Sequence, residues 1–76
     1  MSHAFTLQVS GIDTAGNYED RLYDAGCNDA WVAVLGGKLH LDFDRDAPSF
    51  EAAVQSARRD VERAGGRVDH VMPPPG

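Results

Sequence analysis

The chain has 76 residues, which is enough for one domain with a single small hydrophobic core. Twelve acidic residues against seven basic ones give a net charge of -5, which repels phosphate backbones, so we expect no direct nucleic-acid contact. A single cysteine excludes an intrachain disulfide, and no apolar run is long enough to span a bilayer. We therefore expect a cytoplasmic protein without membrane contact.

The first two predicted elements are a strand and a short helix. In the strand, residues 4–10, apolar side chains alternate with polar ones, as one buried face requires. Asn17 is the predicted cap of the helix that follows, with Thr14 as a competing cap, and Gly26 suits a left-handed helix stop. The apolar positions of this helix have helical spacing: Tyr18, Leu22 and Ala25.

Two adjacent glycines, Gly36 and Gly37, separate two β-prone runs at residues 30–35 and 38–44. They predict a two-residue hairpin turn with positive φ at both positions, and so short a turn sets the pairing register of the two strands. We expect one face of the hairpin to lie in the core, carrying Ala30, Val32, Val34, Leu39, Leu41 and Phe43. The opposite face then carries Trp31, Ala33, Leu35, Lys38, His40 and Asp42.

The strongest helical pattern covers residues 49–64, where apolar residues recur at i, i+3, i+4, i+7, i+11 and i+14. We expect a polar turn at residues 44–48 before this helix. Ser49 is the predicted cap, with Asp46 as the alternative, because both side chains can accept a hydrogen bond from a free backbone N–H. The glycine pair at residues 65–66 is expected to end the helix.

Residues 67–72 predict a last strand, although their pattern leaves open which side chains face inward. The order strand, helix, strand, strand, helix, strand predicts an α+β fold, the ferredoxin-like β-α-β-β-α-β sandwich, with a four-stranded antiparallel sheet and two helices on one face. We expect residues 1–72 to form this single domain and residues 73–76, Pro-Pro-Pro-Gly, to be a tail or the start of a linker.

The sheet face opposite the helices is the predicted functional surface. Exposed aromatic and aliphatic side chains grouped on a sheet indicate contact with another protein. The predicted interface consists of Trp31, Ala33, Leu35, His40, Asp42, Thr6 and Gln8. We expect a non-enzymatic association or regulatory module, without catalytic residues or cofactor, that forms a homodimer or binds a protein partner. In the competing interpretation, Trp31 only shields an edge of a monomer.

Three histidines raise an alternative function, the binding of a small ligand or a metal ion. His40 and Asp42 lie two residues apart on one strand face, and His3 or His70 could approach them. No zinc-type spacing of cysteine and histidine occurs, so we assign no metal site. Cys27 could be a nucleophile, but no aligned base accompanies it in the sequence, and we expect a small packed thiol between helix and strand.

Residues 21–30 (RLYDAGCNDA), 39–45 (LHLDFDR) and 53–61 (AVQSARRDV) resemble the N-terminal domain of small, largely uncharacterised bacterial proteins. In those proteins an excisionase-type helix-turn-helix follows the domain. The resemblance covers most of residues 4–72, implies a role beside a DNA-binding domain, and assigns no catalytic residue. This chain departs from the pattern at residues 73–76, so we expect either that the helix-turn-helix is absent or that the sequence is a piece of a longer protein.

Overall fold

The computed structural model describes residues 1–13 and 15–72. The competing cap Thr14 and the proline-rich residues 73–76 lie outside the described residues. The elements, in chain order, are β1 (Ser2–Ser10), α1 (Tyr18–Asp24), β2 (Ala30–Leu35), β3 (Lys38–Asp46), α2 (Phe50–Arg63) and β4 (Arg67–Met72). Neither helix of the described ranges has the length and apolar character that crossing a membrane requires.

The four strands form one antiparallel sheet in the order β2-β3-β1-β4, so the first and third strands are central. Both helices contribute side chains to one core on the same side of this sheet. The predicted ferredoxin-like α+β arrangement is therefore confirmed. The Gly36-Gly37 turn has φ values of 59° and 79°, and the strands on either side pair in the predicted register, from Leu35 opposite Lys38 to Ala30 opposite Phe43.

The core lies between the central strands and α2. Phe5 of β1 and Phe43 of β3 stack with ring centroids 5.3 Å apart, and alternate residues of both strands are fully buried beside them. The helix residues that meet the sheet are Ala53, Ala57 and Val61, all fully buried. Small side chains at these positions let the helix backbone lie close to the strands, which improves packing density in a domain with few core residues.

Two predictions about the hairpin strands are wrong. The expected polar turn at residues 44–48 is partly strand, because β1 begins at Ser2 and its first residues pair with Arg45 and Asp46. Val34, expected in the core, is 44% exposed. It lies on the edge strand β2, which is about 20 Å long, whereas the seven-residue α1 extends only about 10 Å and cannot cover it.

A bulge in the outer strand explains the irregular pattern of β4. The register shifts between Gln8 and Val9, which pair with His70 and Val68 and leave Asp69 as the extra residue. Val68 therefore pairs with a core residue, and so does Val71, whose partner is Leu7. His70 and Met72 face the opposite side of the sheet, which decides the orientation that the sequence pattern leaves open.

Candidate functional site

The structure brings all seven predicted interface residues together on the sheet face opposite the helices, here called the open face. Cross-strand pairing places six of them in two adjacent rows, since residues directly opposite each other share a face, and Leu35 lies beyond these rows, opposite Lys38. From β2 to β4, one row contains Trp31, Asp42, Thr6 and Met72, and the next contains Ala33, His40, Gln8 and His70. Sequence analysis missed the β4 members of both rows because the bulge hides their alternation.

The middle of the open face is polar and internally bonded. The Thr6 hydroxyl donates a hydrogen bond to Asp42 Oδ1 at 2.6 Å, and Thr6 is only 5% exposed although it lies on this face. Neighbouring strands enclose its short side chain on both sides. Thr6 therefore joins β1 to β3 and orients Asp42 instead of offering a contact surface, while Gln8 and His40 remain half-buried.

The β2 side of the open face is apolar and exposed. Trp31 is 82% exposed and Leu35 59% exposed, with the exposed Ala33 between them on the same face. Single apolar residues on a surface are ordinary, but three in successive positions of one strand face form a continuous strip. We call Trp31, Ala33 and Leu35 the β2 strip. Among the predicted site residues, these three form an exposed apolar patch like the centre of a protein–protein interface.

Charged residues occupy one corner of the open face. Lys38 Nζ lies 3.8 Å from Asp69 Oδ2, and Arg67 Nε lies 3.3 Å from Asp69 Oδ1. The Ser10 hydroxyl and then the Arg67 guanidinium lower the pKa of the Asp69 carboxyl. The carboxylate is therefore ionised at neutral pH, and the exposed charges of Lys38 and Arg67 beside it distinguish this corner from the apolar β2 strip.

The structure separates the three histidines. His40 and His70 lie on either side of Gln8 on the open face, roughly 10 Å apart from backbone to backbone across two strand spacings. His3 instead faces the helices, where its ring lies edge-on to Phe50 at a centroid distance of 6.2 Å. The expectation that His3 could approach His40 is wrong. In residues 1–13 and 15–72, no three His, Cys, Asp or Glu side chains are placed to hold a metal ion.

Arg45 is the main structural residue that sequence analysis missed. It is 9% exposed, and its guanidinium donates to both Asp29 carboxylate oxygens at 2.8 and 2.9 Å. It also donates to Asp60 Oδ2 at 2.9 Å, to Ser56 Oγ at 3.1 Å and to the Gly26 carbonyl at 2.8 Å. These bonds, first of all those to Asp29, raise the pKa of Arg45 above its ordinary value. One signal was available in the sequence, since Arg45 continues the period-2 spacing of the buried face of β3.

Cys27 is buried beside this ion-pair cluster, as the prediction of a packed thiol requires. Burial raises the pKa of its thiol to about 11, and the Asp60 carboxylate adds to the increase. At neutral pH the sulfur therefore stays protonated, and a protonated, buried thiol is a poor nucleophile. Its contribution to the molecule is apolar packing.

Comparison with known proteins identifies no relative. No protein-family model, no curated protein and no solved structure matches the chain. Inference about function accordingly starts from the geometry of the open face, with its exposed β2 strip at one side, a bonded polar centre and a charged corner.

Proposed function

We propose that this protein is a non-enzymatic association module that pairs through the open sheet face around Trp31. The observation that carries the proposal is the exposure of Trp31 and Leu35 in one continuous strip. An aromatic side chain of this kind buries roughly 150–250 Å² when it is covered, which is a large favourable term for a domain this small. Covering the β2 strip with another protein surface removes this area from water.

The arrangement around the strip also supports association. Stable interfaces have an apolar centre and a polar rim that keeps its hydrogen bonds with solvent or with the partner. The half-buried His40 borders the β2 strip, and the half-buried Gln8 lies one strand further away. The Thr6 hydroxyl already donates its hydrogen bond to Asp42. The polar part of the open face therefore loses few hydrogen bonds to water when the strip is covered.

The proposal includes a regulatory role beside a DNA-binding domain, in the cytoplasm of a bacterium. The support is the resemblance of residues 21–30, 39–45 and 53–61 to domains that precede an excisionase-type helix-turn-helix. With a net charge of -5, this chain contributes pairing and not phosphate contacts. Pairing two such modules brings two DNA-binding domains together, which raises the effective concentration of the second at its half-site.

The test is the solution mass of the wild type and of Trp31→Asp, by sedimentation equilibrium from micromolar to about millimolar protein. The wild type is expected to change from the 8.2 kDa monomer to twice that mass, and the substitution is expected to keep the monomer. Val71→Asp is the control, because Val71 is also an exposed apolar residue, at 40% against 82% for Trp31, but lies on the helix side of the opposite edge strand. A wild type that stays monomeric, or a Trp31→Asp variant that pairs like the wild type, would contradict the proposal.

The binding of a small ligand or metal ion is the alternative function, and it has less support. His40, Asp42 and His70 share the open face, but Gln8 separates the two imidazoles. Titration with Zn²⁺, followed by the NMR signals of the histidine rings, tests it. Movement of both the His40 and the His70 signals at stoichiometric metal would favour this alternative, and unchanged signals would exclude it.

A further inference from the structure

The edge strand β2 has backbone groups directed away from the sheet. Leu35 and Lys38 flank a two-residue turn and therefore form a hydrogen-bonded pair. The same alternation of hydrogen-bonded pairs extends to the start of the strand, where the Asp44 N–H donates to the Asp29 carbonyl at 3.2 Å. Odd-numbered residues of β2 thus bond to β3. The N–H and C=O groups of Ala30, Val32 and Val34 point to the other side, where no described strand lies.

The two edges of the sheet differ in their protection against pairing. β4 carries the charged residues Arg67 and Asp69, and Asp69 also forms a bulge. Charges and bulges are the usual devices that keep an edge strand from adding another strand. β2, from Ala30 to Leu35, contains neither a charge nor a proline and pairs with β3 in continuous register. Its outer edge is therefore open to a further strand.

We propose that two copies of this chain pair through β2, antiparallel, about a two-fold axis at Ala33, and so form one continuous eight-stranded sheet. This inference rests on the proposed function, since it names the partner and the geometry of the pairing. In this register Val32 and the partner's Val34 form a hydrogen-bonded pair through their outward N–H and C=O groups. The symmetry repeats the same bonds between Val34 and the partner's Val32.

The sequence of β2 is self-complementary about Ala33. On the open face, Trp31 lies opposite the partner's Leu35, so the most exposed side chains of the two β2 strips cover each other. On the helix side, Val34 lies opposite the partner's Val32, which accounts for a valine left 44% exposed in the single chain. Ala33 meets its own copy at the axis, where the two backbones approach most closely and a small side chain fits.

The charges around the junction favour a second copy as the occupant. The six residues of β2 are uncharged, although the whole chain carries a net charge of -5. Across the joined sheet, the row through Trp31 has Asp42 next to Trp31 on one side of the junction and, next to the partner's Leu35, the partner's Lys38 on the other. The nearest charges on the two sides of the junction in this row are therefore opposite, and the two-fold axis repeats the arrangement. No like charges face each other directly across the two paired strands, so the overall negative charge does not oppose this contact.

Two lysine substitutions distinguish edge pairing from stacking of the two open faces. Val34→Lys places a charge at the edge junction on the helix side, and the partial exposure of Val34 lets the single chain accept it. Gln8→Lys places the same charge on the central strand β1 of the open face, away from β2. We expect Val34→Lys to raise the dimer dissociation constant by on the order of tenfold or more, and Gln8→Lys to leave it within about twofold.

The reverse result, with Gln8→Lys dissociating the pair and Val34→Lys leaving it intact, would overturn edge pairing and keep the proposed function. A wild type that stays monomeric overturns the proposed function and this inference together. Far-ultraviolet circular dichroism of each variant shows whether the chain is folded. A Val34→Lys variant that is folded and dimeric with unchanged affinity also overturns the inference.

A cross-link tests the register itself. At the axis, the α-carbons of Ala33 and its copy are expected to lie about 4.5 Å apart, inside the disulfide range of about 4.4–6.8 Å. In a Cys27→Ala background, Ala33→Cys is therefore expected to give a disulfide-linked dimer on mild oxidation. Gln8→Cys is the matched control and is expected to stay monomeric on a non-reducing gel. Cross-linking of Gln8→Cys without that of Ala33→Cys would overturn the proposal.

Discussion

Arg45 and Asp29 form a two-bonded ion pair, with Nε to Oδ2 at 2.8 Å and Nη2 to Oδ1 at 2.9 Å. Asp29 belongs to the connection that follows α1, and Arg45 ends the buried face of β3. The same guanidinium bonds to Asp60 of α2. One side chain therefore joins the connection after α1, and the helix α2, to the sheet.

Replacing Arg45 is expected to be strongly destabilising. Arg45→Ala leaves two partly buried carboxylates and the Gly26 carbonyl without their donor, and breaking such a pair costs about 3–5 kcal/mol. Arg63→Ala is the control, because Arg63 lies 3.8 Å from the same Asp60 but is mostly exposed, so its loss is expected to cost less than about 1 kcal/mol. Urea denaturation measures both. Equal losses in the free energy of unfolding would contradict the structural role of Arg45.

A methyl group at Gly26 is expected to disturb the same cluster. Gly26 has a φ of +116°, and a Cβ built there lies 2.7 Å from Asp60 Oδ2. Gly26→Ala should therefore cost on the order of 1–3 kcal/mol through backbone strain and displacement of Asp60. At Gly16 a Cβ meets no atom of the described residues within 4 Å, so Gly16→Ala should change stability by less than about 1 kcal/mol. Thermal unfolding of the two variants compares them, and similar melting temperatures would argue against this account.

The two helix caps are expected to differ in their contribution. The Ser49 hydroxyl accepts a hydrogen bond from the Ala52 N–H at 3.1 Å, which confirms Ser49 as the cap of α2. Ser49→Ala should cost about 1 kcal/mol in the free energy of unfolding. Asn17 precedes α1, but within the described chain its side chain makes no capping hydrogen bond. Asn17→Ala should therefore lower the free energy of unfolding by only about a few tenths of a kcal/mol. A larger loss for Asn17→Ala in chemical denaturation would show that the order is wrong.

Cys27 is expected to make stability depend on pH in the alkaline range. Its folded pKa is about 11, against an ordinary value of 9.0, so the unfolded chain releases the thiol proton first as the pH rises. The contribution of the neutral thiol is complete below about pH 9 and is lost as the pH rises through about 11.

The wild type should accordingly lose about 2–3 kcal/mol more than Cys27→Ala between about pH 8 and about pH 11. Urea denaturation of both proteins at the two pH values measures this difference. Lysine and tyrosine are the same in both proteins, so their contributions cancel in the comparison. Parallel losses in the two proteins would show that the thiol is not the group responsible.

Sequence patterns predicted most of the fold because its signals are local. The Gly36-Gly37 turn defines the hairpin register within a few residues, and the spacing of Ala53, Ala57 and Val61 defines the buried side of α2. The open face follows from that register, so its β2 strip was accessible to sequence analysis. The interface prediction itself stays a prediction that the proposed experiments address.

Other features depend on residues far apart in the chain. Arg45 was placed in a polar turn because its partners Asp29 and Asp60 lie 16 and 15 residues away and no local pattern connects them. The sequence pattern predicts Thr6 as an exposed strand residue, and its hydrogen bond to Asp42, 36 residues away, is visible only in the folded chain. The β4 bulge likewise appears only when that strand is laid beside β1.

The sequence alone thus determined the order of the elements, the hairpin register and the apolar face of each central strand, because turn chemistry and periodicity act over a few residues. The tertiary structure alone decided that Arg45 is buried, that Val34 is exposed and that His3 faces away from His40. These outcomes depend on how far each strand extends and on which groups meet across the chain. Burial and ion pairing are properties of that assembly, so they emerge only when the helices and strands are packed together.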